Sequence, residues 1–131
     1  MDFELLSIVL MFGIIVFGGS RYKKAKANLD ETDREVAQTI WSNANKGFFG
    51  TGVVAVTLMI MGIILFHEKR QFVYLLFFTF GFILEAVYLF RLKSQIKLSS
   101  LPAEFTKIVQ NNHVLRLISL ALVVGAFALN L

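Results

Sequence analysis

The chain has 131 residues, of which 56% are hydrophobic and only 17% charged, with a formal net charge of +4 at neutral pH. That length allows one domain, and so apolar a composition leaves no room for a soluble extension of any size. The absence of cysteine excludes a disulfide framework, thiol catalysis and thiolate metal sites. The basic residues collect at the ends of apolar segments instead of forming a face of their own, which argues against nucleic acid as a partner.

The first apolar stretch runs over residues 3–18. Acidic Asp2 and Glu4 stand at its start, and the basic cluster Arg21, Lys23, Lys24 and Lys26 follows it. A secretory signal has the reverse order, so the segment is expected to remain as a membrane helix with its N-terminus outside. Residues 19–46 form the first connection. Thr32 and Glu35 have the spacing of a capping box, and Val36, Ile40 and Ala44 recur every fourth residue with Ala37 and Trp41 beside them. This predicts an amphipathic helix lying on headgroups or capping the membrane helices.

The second apolar stretch, residues 47–66, carries small residues at helical spacing: Gly47, Thr51, Ala55 and Gly62. Membrane helices associate through such stripes, because small side chains let backbones approach closely. A tight turn, His67–Gln71, leads into the third stretch, residues 72–90, whose six phenylalanines lie all round the helix as bulk. Its one acidic residue, Glu85, sits four positions past the midpoint Gly81. A carboxylate near the bilayer centre costs about 2.5–3.5 kcal/mol, so it should face other helices and have a partner. Arg116, one turn into the fourth stretch (residues 114–131), is the expected partner, as an ion pair or a coupling site.

The second connection, residues 91–113, holds Pro102 at a position suited to a helix start and an apolar stripe of Leu101, Phe105, Ile108 and Val109. Asn43, Lys46 and Asn112 gather at the ends of the second and fourth spans as a candidate polar mouth. The two histidines, His67 and His113, fall on opposite membrane faces and are not expected to share a metal. Shifting the chain by 70 lays Arg21 and Lys23 on Arg91 and Lys93, and Lys46 on Arg116. A parallel internal repeat has this register, although charge bias alone also places bases there.

A hydrocarbon core about 30 Å thick needs about 20 helical residues. The second and third stretches meet this, and the first and fourth, a little short, can borrow flanking residues or thin the bilayer locally. Eleven of the thirteen lysines and arginines fall on the side of residues 19–46 and 91–113, and two, Lys69 and Arg70, on the other. That bias puts both termini outside the cytoplasm. The expected architecture is an all-α integral membrane four-helix bundle of two antiparallel hairpins in a single domain, placed in a plasma membrane of bacterial type. No catalytic motif, metal-ligand set or cofactor loop is present, so the chain is expected to be no enzyme and to carry no cofactor. It reads as an accessory, immunity or regulatory protein that binds another membrane component, through a membrane-protein partner or by self-association. The alternative is a small homodimeric transporter or channel that uses Glu85.

Overall fold

A computed structural model describes residues 2–131. It contains five α-helices: α1 (Phe3–Ala27), α2 (Glu31–Asn45), α3 (Phe48–Leu65), α4 (Arg70–Lys97) and α5 (Ala103–Leu129), with a 3-10 turn, His67–Lys69, before α4. Among the described residues there is no strand. Four helices, α1, α3, α4 and α5, are long and apolar enough to cross a membrane. The fifth, α2, is a 15-residue amphipathic helix.

Three of the four spans outrun the segments expected from hydropathy. At 1.5 Å per residue, α4 and α5 measure about 40 Å each and α1 about 37 Å, more than the lipid core requires. The surplus turns stack beside α2. Helix α4 continues past Phe90 to Lys97, and the helical part of the second connection is the first third of α5, not a separate helix. In the first connection the break is real. Gly47 takes a left-handed φ of +86°, which lets the chain turn between α2 and α3 at no steric cost to a side chain. Gly47 is thus the hinge before α3 and not a member of its packing stripe. Helices α1 and α4 end 70 positions apart, at Ala27 and Lys97, in the register of the suspected repeat; the halves diverge where Gly47 breaks one and α5 runs on through the other.

Helix α5 is the centre of the fold, packed along both α1 and α4, whereas α3 lies against α4. Residue pairs give the sense of each contact. Asn112 meets Gly18 and Asn130 meets Glu4 across α5 and α1. Phe127 meets Tyr74 and His113 meets Glu85 across α5 and α4. Gly62 approaches Val73, and Phe48 approaches Tyr88, across α3 and α4.

Two cores hold these helices. One, at the α2 end, gathers Ala37, Ile40 and Ala44 of α2 against Leu92, Phe105 and Val109. The apolar face of α2 therefore docks onto the ends of the longer helices and caps them. The other lies among α1, α4 and α5, where Met11, Val123 and Phe127 are buried. Asp30, not Thr32, caps α2: its carboxylate accepts the Asp33 backbone N–H at 2.7 Å. Thr32 and Glu35 lie inside the helix. Arg34 closes the preceding turn by donating to the Leu29 and Ala27 carbonyls at 3.0 and 3.1 Å.

Candidate functional site: a polar cluster where α2, α4 and α5 meet

Glu85 does find a partner on α5, but the bonded residue is His113. Oε1 of Glu85 and Nδ1 of His113 share a hydrogen bond at 2.6 Å. Only 3% of the His113 side chain and 19% of that of Glu85 are exposed. No other His, Lys or Arg nitrogen lies within 4.0 Å of a carboxylate oxygen among the described residues, so Glu85 and Arg116 are not in salt-bridge contact. Arg116 stands one turn along from His113 and lines the same small cavity as Glu85. Its Nε is buried and has no hydrogen-bond partner.

Aromatic rings wall this cluster. The Tyr88 ring centroid lies 4.8 Å from that of His113 and 5.4 Å from that of Phe48. Trp41 of α2 stands edge-on to Tyr88 at 6.0 Å and is 5.1 Å from Tyr22 of α1. Edge and tilted arrangements at these distances suit the ring quadrupoles. The Tyr88 hydroxyl, like Arg116 Nε, is buried without a partner. Between these groups lies a cavity of about 250 Å³, with Asn45 and Trp41 on the α2 side and Gly81 and Leu84 on α4. Glu85 and His113 offer two metal-ligating side chains, and among the described residues no third His, Asp or Glu joins them.

The expected polar mouth is distributed differently. Asn112 is buried, and its amide donates to the Gly18 carbonyl at 2.9 Å. It fastens α5 to α1. Asn43 and Lys46 are exposed, and the asparagine that reaches the cavity is Asn45. The α3 stripe is divided as well. Thr51, Ala55 and Gly62 line an apolar groove of about 600 Å³ between α3 and α4. A Cβ on Gly62 would meet Val73 Cγ1 at 3.0 Å, so α4 packs closely against α3 at this glycine.

His113, Tyr88 and Asn45 complete the cluster. For His113 the available signal was its place three residues before Arg116, on the same helical face. A search against family models, curated proteins and solved structures returned no match to the chain.

Proposed function

We propose that the chain is a non-enzymatic accessory, immunity or regulatory protein of a bacterial plasma membrane, which acts by binding another membrane component. In this reading its spans form two antiparallel hairpins of a four-helix bundle, with both termini outside the cytoplasm. The observation that carries it is the position of α3. This helix has no buried residue and leans on α4, and the groove beside it exposes Val54, Leu58, Leu76 and Phe80. Small residues in the groove floor would let a further helix approach closely, the way membrane helices associate without a hydrophobic drive.

The test is site-specific photo-crosslinking from Leu58 in intact membranes, followed by the same experiment in an Ala55→Phe variant that fills the groove. A discrete crosslink to a second membrane protein, lost in the filled variant, supports the reading. Crosslinks to lipid alone, or none that depends on Ala55, refute it.

One observation favours the transporter reading: a carboxylate and an imidazole in hydrogen-bond contact between two helices long and apolar enough to span. Intramembrane ionisable pairs mark proton and ion pathways. Reconstituted in vesicles, the protein would then carry a proton- or cation-dependent flux that Glu85→Gln abolishes at normal protein level. If Glu85 is structural, that variant loses stability and leaves any flux in place.

A further inference from the structure

We infer that the cavity beside Arg116 binds the phosphate of an anionic phospholipid headgroup. The inference is independent of any protein partner at α3. Three features of the cavity point to it. First, two of its polar groups are buried donors without an acceptor. Arg116 Nε is buried and unbonded, and so is the hydroxyl of Tyr88, whose residue is 5% exposed. An unpaired buried donor is costly, and a charged one more so. The Asn45 amide and the Trp41 indole N–H belong to residues of the same lining.

Second, the unengaged charge in the lining is the cation. Glu85 also lines the cavity, but its Oε1 is engaged by His113. Arg116 has no carboxylate within 4.0 Å among the described residues. A second guanidinium, that of Arg91, is exposed and lies outside the lining, 5.3 Å from the ring centroid of the wall residue Phe48. Guanidinium groups present a planar fork that fits phosphate oxygens two at a time.

Third, the cavity is lined by Asn45 at the end of α2 and Phe48 at the start of α3, which, with α3 as a span, is the level at which the chain would pass from interface to hydrocarbon. Basic pockets between membrane helices at that level take lipid headgroups. At about 250 Å³ the cavity admits the phosphate and part of the glycerol, and leaves the acyl chains to run along the apolar outer surface.

The chain supplies its own reporter, because Trp41 is its single tryptophan and lines the site. The full-length protein in neutral maltoside micelles is titrated with short-chain phosphatidylglycerol, with short-chain phosphatidylcholine and with inorganic phosphate, while tryptophan emission is followed. The expected result is a saturable change with phosphatidylglycerol whose midpoint rises about tenfold or more in Arg116→Gln. Lys107→Gln, an exposed charge on the same helix, should leave the midpoint in place. Tyr88→Phe, which keeps the ring, gives a smaller rise and carries the test if Arg116→Gln does not fold. No saturable response to phosphatidylglycerol, or one that neither variant weakens, overturns the site. Equal saturation by inorganic phosphate or by phosphatidylcholine overturns its assignment to an anionic lipid.

Discussion

His113 Nδ1 lies 2.6 Å from Glu85 Oε1 and ties the central helix α5 to α4 through two side chains that hydropathy alone would keep out of a membrane. The bond relieves the cost of each group. Removing either partner leaves the other buried and unsatisfied, the expensive half of any hydrogen-bond deletion.

A double-mutant cycle on this pair should therefore show coupling. Glu85→Ala and His113→Phe are each expected to destabilise the folded protein in detergent. The double variant should lose less than the sum, by about 0.5–2 kcal/mol, the range measured for interhelical hydrogen bonds in membranes. Thermal or denaturant unfolding of the four species checks it. Strict additivity would mean that the two side chains meet without interacting.

The cap of α2 gives a second expectation. Asp30 accepts the Asp33 N–H at 2.7 Å, whereas Thr32 lies within the helix. Asp30→Ala should cost about 0.5–2 kcal/mol, the usual worth of an N-cap, and Thr32→Ala very little. Because α2 closes the α2-end core, the loss should also appear as faster proteolysis between Ala27 and Asp33. Equal effects from the two substitutions would contradict the cap assignment.

How much of this was legible beforehand follows from the physics of each part. Four helices long and apolar enough to cross a membrane could be read because lipid demands such helices, and few other structures tolerate them. Their ends could not. The last turns of α4 and the first of α5 are polar enough to be loops, and they are helical because Leu92, Phe105 and Val109 pack against α2. That is a tertiary effect no local pattern contains. The same shortfall hid the partner of Glu85. His113 and Arg116 share one face of α5 a turn apart, so periodicity cannot choose between them, and His113 falls one residue outside the apolar stretch. The small-residue stripe was seen, but only three of its four members line the α3 groove, because Gly47 serves the turn.

Gly62 offers a packing test on the α3 side. With Val73 Cγ1 only 3.0 Å from where its Cβ would stand, Gly62→Leu must push the helices apart or force Val73 from its rotamer. The expected cost is about 1–3 kcal/mol, typical of overpacking. Adding Val73→Ala should recover much of it, since it removes the obstructing methyls. Melting temperatures of the single and double variants decide the matter. A double variant no better than Gly62→Leu alone would show that the two residues are not in contact.

Orientation in the membrane can be tested directly because the native chain has no cysteine to interfere. Ser100 lies in the turn between α4 and α5, Glu68 in the turn between α3 and α4, and Asn130 at the end of α5; all three are exposed. The lysine and arginine bias puts Ser100 on the cytoplasmic side and the other two on the opposite side. In intact cells, an impermeant maleimide should label Glu68→Cys and Asn130→Cys and reach Ser100→Cys only after lysis. Labelling of Ser100→Cys in unbroken cells, with the other two protected, would invert the protein. The Arg116 cavity would then face the outer leaflet, where cytoplasmic anionic lipids could not reach it. A mixed pattern, with Glu68 and Asn130 on different sides, would mean that fewer than four of the apolar helices cross.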